Sequence, residues 1–288
     1  MDSSNPSKYS IEFFPPRTQV GESKLDTVHA QLSKLNPDFF SVTYGAGGST
    51  KSGTQQMVLR YQAAGSHCAP HLSFGGSNEE ELRQILQVYI DAGIKRLVAL
   101  RGDMPSGVGA AVQHSYANEL VEFIRAETGD HFHIDVACYP ETHPESNSYA
   151  SDVSFFKDKV DAGANSAITQ YFYNPDAYFR FVDYCQAAGI DIPIVPGIMP
   201  ITNYANLARF SASCGAQIPR WLNKRLTGFG DDKESLRRFG IDVVTELCED
   251  LLQGGAPGLH FYSMNLSQAV TQIWTNLDLG NRPQRELL

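Results

Sequence analysis

The chain has 288 residues, 42% of them hydrophobic and 19% charged, a length and balance suited to one large core rather than two small ones. Lys plus Arg total 23 against 32 Asp plus Glu, and the resulting charge of -9 opposes both a phosphate backbone and an anionic bilayer. Nucleic acid and membrane are therefore excluded as partners, and with no apolar run near the roughly 18 to 20 residues that span a bilayer and a polar Met1 to Ser10 start, a cytoplasmic protein is expected.

In chain order, the first β-rich run is Tyr9 to Phe14 and the second Phe39 to Tyr44. A helix closing at Ala64-Gly65 leads to the third run, Cys68 to Phe74. The next helix starts at Ser77, with Glu80 completing a capping box, presents Leu82, Ile85, Leu86 and Tyr89 on one face, and ends at Ala92-Gly93. Runs four to six are Arg96 to Leu100, His133 to Cys138 and Ser166 to Tyr171, with a helix end at Ala162-Gly163 between the last two. Asn174-Pro175 opens a helix that Ala188-Gly189 closes before run seven, Ile192 to Gly197. Each Ala-Gly pair marks a helix-to-strand junction, because glycine can take the left-handed conformation that ends a helix. Extra helices around Ile218 to Leu226 and Glu234 to Leu252, joined by a Gly228 to Asp232 turn, precede run eight, Leu259 to Tyr262.

Eight strands alternating with helices predict a parallel α/β fold, a (β/α)8 TIM barrel with extra helices between strands 7 and 8, forming one catalytic domain over residues 1–288. Function then belongs at the strand C-terminal ends. Glu12 sits there in Ile11-Glu12-Phe13-Phe14-Pro15-Pro16. Apolar neighbours disfavour its charged form and suit it to donating a proton; the competing reading is a buried glutamate paired with Arg or Lys. Arg101-Gly102-Asp103 after run four can flank a polar ring or form a surface ion pair. The Gly45 to Ser49 turn fits neither a Rossmann nor a P-loop spacing. His71 and His143 lack a metal-binding spacing, so no metal is expected. The five cysteines form no Cys-x-x-Cys pair and are read as buried thiols. Asp152 and Lys159 read locally as exposed helix residues, and Phe210 as helix core.

Taken together these segments resemble the methylenetetrahydrofolate reductase family from about Tyr9 to about Leu277. The resemblance is carried by Ile11 to Pro16, Ser41-Val42-Thr43-Tyr44-Gly45-Ala46, Ala69-Pro70-His71-Leu72, Ala99-Leu100-Arg101-Gly102-Asp103, Tyr139-Pro140-Glu141 with His143-Pro144, Lys159 to Ala164, Thr169-Gln170, Pro196 to Pro200 and His260-Phe261-Tyr262.

The resemblance implies a flavin enzyme: NADH or NADPH reduces FAD and departs, and 5,10-methylenetetrahydrofolate then binds the same flavin face and leaves as 5-methyltetrahydrofolate, a ping-pong scheme. Glu12 matches the family's general acid. Asp103 matches the residue beside flavin and pterin, Gln170 a pterin contact, Phe210 a residue stacking on the substrate or the nicotinamide, and Tyr262 a position near the mouth. Thr43, His71, Leu100, Arg101, Gly102, Asp103, Tyr116, Ala117, Tyr139, His143, Asp152 and Lys159 match FAD contacts. A homo-oligomer of the short bacterial type, without a regulatory domain, is expected. The alternatives are a barrel that binds flavin or folate without turnover, and a Schiff-base lyase; the second lacks a lysine at the mouth, since Lys8 and Lys95 precede their strands.

Overall fold

Apart from β7, which leads straight into β8, each strand is followed by a helical connection, and neighbouring strands run parallel in one nine-stranded sheet ordered β7-β6-β5-β4-β3-β2-β1-β9-β8. The computed structural model describes residues 8–44, 51–74, 78–101 and 116–280. The strands are β1 (Lys8–Phe13), β2 (Phe39–Val42), β3 (Cys68–Leu72), β4 (Arg96–Ala99), β5 (His133–Cys138), β6 (Ser166–Thr169), β7 (Ile194–Val195), β8 (Gly197–Ile198) and β9 (Gly258–Tyr262). Connecting them are α1 (Gln19–Leu32), α2 (Lys51–Ala63), α3 (Glu79–Asp91), α4 (Ala117–Thr128), α5 (Tyr149–Asp161), α6 (Pro175–Ala187), α7 (Tyr204–Cys214), α8 (Arg220–Gly228) and α9 (Lys233–Gln253), and α10 (Gln268–Asn276) follows β9.

The seventh predicted strand is split. β7 pairs with β6 and β8 pairs with β9, and Pro196 between them has no N–H to donate but accepts from the His260 N–H at 3.0 Å. One chain segment thus bridges both edges of the sheet and completes a TIM-type ring. The gap before β9 holds α7 in addition to the two expected helices. Gly65, Gly93, Gly163 and Gly189 all have positive φ, as the Ala-Gly junctions require. The start of α3 is shifted from expectation: Asn78, not Ser77, is the cap, and its side chain accepts from the Glu81 N–H at 2.9 Å. No described helix is long and apolar enough to cross a membrane.

Strand alternation sorts the side chains. In β1, Tyr9, Ile11 and Phe13 join the core beneath the helices, with Leu25 and Leu32 of α1, so Ser10 and Glu12 face the barrel interior. The same rule turns Ser41, His71, Asp135, Ser166 and His260 inward, and all five are buried. At the N-terminal end of the barrel the guanidinium of Arg96, the first residue of β4, grips Asp135 at 2.6 and 2.9 Å and stacks over Phe39. Burial alone would raise the Asp135 carboxyl, but Arg96 and His133 hold it well below the usual carboxylate range. The Ser166 hydroxyl also donates to Asp135, and the His133 ring bonds Ser166 at 2.7 Å. This charged plug is at the end of the barrel that reads as stability.

Candidate active site

At the opposite end, register places Glu12 beside Ser41 of β2 and Tyr262 of β9. Its Oε2 lies 3.3 Å from His71 Nε2 and 3.5 Å from His260 Nε2, and the side chain remains 16% exposed, so a bound molecule can reach it. The setting differs from the apolar one that the neighbouring residues imply: Ile11 and Phe13 point to the opposite face of the strand, and among the described residues the partners of Glu12 are imidazoles, not Arg or Lys. His260 is oriented by a 2.7 Å bond from Nδ1 to the Ser10 hydroxyl, and its Nε2 also lies 3.5 Å from Ser41 Oγ.

Burial holds His71 below the ordinary imidazole value, so its ring is neutral at neutral pH. A neutral imidazole can donate to a carboxylate or accept from a carboxylic acid, so Glu12 can be accommodated in either protonation state.

One polar atom at this mouth, Thr43 Oγ1, is buried without a hydrogen-bond partner among the described residues, and the neighbour of the buried His71 Nε2 is the Glu12 carboxyl, at 3.3 Å but not aligned for a hydrogen bond. Thr43 is otherwise fixed, its N–H donating to Phe13 O at 2.9 Å and its carbonyl accepting from Thr54 Oγ1 at 2.7 Å. An orphaned atom of this kind suits a polar ligand that supplies the missing partner.

Around the rim, the N–H of Leu100 donates to Leu72 O, and Arg101, 42% exposed, forms a 2.6 Å ion pair with Glu145. Gly102 and Asp103, the 104–111 segment and the Gly45 to Ser49 turn lie outside the described residues. Tyr116 caps α4 and is exposed, with Ala117 the first helical residue. Tyr139 and His143 pack edge to face at 4.5 Å.

Asp152 and Lys159 are not the exposed helix residues that local reading suggests. Asp152 accepts from the His143 N–H at 2.9 Å and the Ser146 hydroxyl at 3.1 Å, fixing the loop after β5. Lys159 folds back to give its ammonium to Ala137 O at 2.5 Å, and burial lowers its pKa. A helix face looks exposed in sequence when the strand it lies against is remote in the chain.

The N–H of Gln170 donates to Cys138 O at 2.8 Å, and Tyr262 donates to Thr169 O at 2.7 Å. Burial raises the Tyr262 phenol well above its usual value, so it remains a hydrogen-bond donor. Phe210 is partly buried on α7, with the Arg209 guanidinium 5.1 Å from its ring. Sequence reasoning passed over His260, Ser10 and Ser41 as site residues. Counting two residues back from Tyr262 and from Glu12 finds the first two, because alternate strand residues share a face. Of the five cysteines, Cys214 is only partly buried, contrary to expectation, and all five are free. Among the described residues no group of three or more His, Cys, Asp or Glu could hold a metal ion.

The family model described as methylenetetrahydrofolate reductase matches residues 2–278. A 5,10-methylenetetrahydrofolate reductase of Pectobacterium carotovorum is 40% identical over 275 residues, covering 95% of this chain and 90% of that protein. That of Escherichia coli K12 is also 40% identical, covering 95% and 91%. The Arabidopsis thaliana methylenetetrahydrofolate reductase (NADH) 1 is 38% identical over 94% of this chain but only 48% of its own length. Among solved structures, a Clostridium thermocellum protein described as binding two copies of 5-methyl-5,6,7,8-tetrahydrofolic acid superposes with a TM-score of 0.65 at 17% identity, covering 96% of both chains. At that identity the likeness shows a common fold.

Proposed function

Because this chain belongs to the methylenetetrahydrofolate reductase family and is an oxidoreductase, we propose that it reduces 5,10-methylenetetrahydrofolate to 5-methyltetrahydrofolate at the expense of NADH or NADPH, with FAD as the bound flavin and Glu12 as general acid. The observation that carries the acid's assignment is Glu12 standing at the barrel mouth between His71 and His260. When bound, FAD supplies the hydride relay between the nicotinamide and the folate.

The residues present fit such a group. Thr43 Oγ1 is buried and orphaned, the Tyr139 and His143 rings offer an aromatic wall, and Asp152 and Lys159 brace the loop and strand beneath. Thr43, His71, Leu100, Arg101, Tyr139 and His143 would hold the flavin; Gln170, Tyr262 and Phe210 would orient the pterin. Glu12 delivers its proton to N10 of the folate, which opens the five-membered ring to the cation that accepts hydride. Neutral His71 places no second positive charge beside that cation. Gly102 and Asp103 complete the family's pattern in sequence, and Asp103 is assigned by it to the polar edge shared by flavin and pterin.

An absorption spectrum of the purified protein, before and after anaerobic NADH or NADPH and then methylenetetrahydrofolate, tests this reading. Flavin bands that bleach with the nicotinamide and return with the folate are expected. Flavin that bleaches but is not reoxidised by the folate defeats the reductase assignment, and a protein that cannot take up FAD defeats the cofactor.

A further inference from the structure

We propose that Glu141 is a positioning residue that ties α7, and with it Phe210, to the loop carrying Tyr139 and His143. The inference rests on the reading of Phe210 as a substrate contact. α7 belongs to the extra segment between β8 and β9 rather than to the ring of strands, so its placement over the mouth is not fixed by strand pairing.

Two ties hold the end of α7. One comes from the segment just after β6: the Tyr171 hydroxyl, next in the chain to Gln170, lies 3.1 Å from Ser211 Oγ and 3.5 Å from Cys214 Sγ. The other comes from the β5–α5 loop, where Glu141 Oε2 accepts the backbone N–H of Gln217 at 2.8 Å, just past the helix end. The loop is shaped for this approach. Thr142 takes a left-handed backbone with φ 74°, a conformation non-glycine residues rarely adopt. Opposite it, Gly215 ends α7 with φ 77°, where an added Cβ would stand 3.0 Å from Pro144 Cγ. The two backbones therefore meet closely, and Glu141 bonds across the contact.

Glu141, Tyr171 and Cys214 line a small cavity together with Tyr139 and Gln170, so the tie lies between the expected flavin side and the expected pterin side. Burial raises the Glu141 carboxyl above its ordinary value. Phe210 stands one turn before Cys214, so a shift at the end of α7 is transmitted to its ring.

The test uses the flavin-loaded enzyme and a double-mutant cycle. Glu141→Ala is expected to raise the KM for methylenetetrahydrofolate about tenfold with kcat within about twofold. Glu141→Gln, whose amide oxygen still accepts the Gln217 N–H, stays within about twofold of the parent. Glu141→Asp, one methylene short of its partner, resembles the alanine variant and serves if that variant folds poorly. In a Phe210→Ala background Glu141→Ala adds less than about twofold, because the two act through one ring. A Phe210→Ala effect on KM that multiplies fully with that of Glu141→Ala, or a glutamine variant as impaired as the alanine one, overturns the positioning role alone. Phe210→Ala with unchanged KM overturns the substrate contact and the positioning role with it.

Discussion

Glu12 Oε2 of β1 and His71 Nε2 of β3 stand 3.3 Å apart across the barrel interior, with β2 between their strands. The buried imidazole is held below its ordinary value, chiefly by loss of solvent, against the opposing pull of Glu12. An unfolded histidine titrates near about 6.5. The unfolded chain therefore takes up this proton first as pH falls, and stability that is complete above that value is lost as pH drops toward the depressed native value. We expect the apoprotein's urea midpoint to decrease from about pH 7.5 to about pH 5.5, and His71→Asn to reduce that decrease. His29, also lowered by burial, leaves a residual slope in the same direction. An unchanged slope in His71→Asn would contradict the assignment.

Glu12→Gln keeps the shape of the side chain and removes the transferable proton. Reduction of the flavin by NADH or NADPH is expected to change by less than about threefold, while its reoxidation by methylenetetrahydrofolate slows by about 10² to 10⁴. Stopped-flow absorbance separates the two half-reactions. Equal losses in both would remove Glu12 from the acid's role.

Arg96 neutralises a carboxylate with no exposure of its own. Arg96→Met strands Asp135 in the barrel and should cost about 3 to 5 kcal/mol in urea unfolding, whereas Arg96→Met with Asp135→Leu should recover much of the loss. A single-variant cost below about 1 kcal/mol would show that the plug contributes little.

Gly197 lets β8 pass against β6 and β9: a Cβ there would stand 2.2 Å from Thr169 O and 2.6 Å from the Tyr262 ring. Gly197→Ala must displace the Tyr262 hydroxyl from Thr169. The expected result is about 1 to 3 kcal/mol of destabilisation together with a raised folate KM. A KM equal to that of the parent would detach Tyr262 from the substrate side.

The period of the chain was enough to establish strands, helices and their parallel order, because alternation and left-handed glycines after helices are local properties of the backbone. Glu12, His71, Tyr139, Gln170 and Tyr262 were likewise legible as strand-end positions of a barrel. The partners of these groups were not. That Glu12 meets two imidazoles, that Ser10 orients His260, that Lys159 reaches Ala137 and that Glu141 holds the end of α7 all depend on side chains brought together from distant parts of the chain. Even the seventh strand, continuous in sequence, was divided by its two neighbours: β6 and β9 each pair with one half, and Pro196 has no N–H to extend the ladder between them.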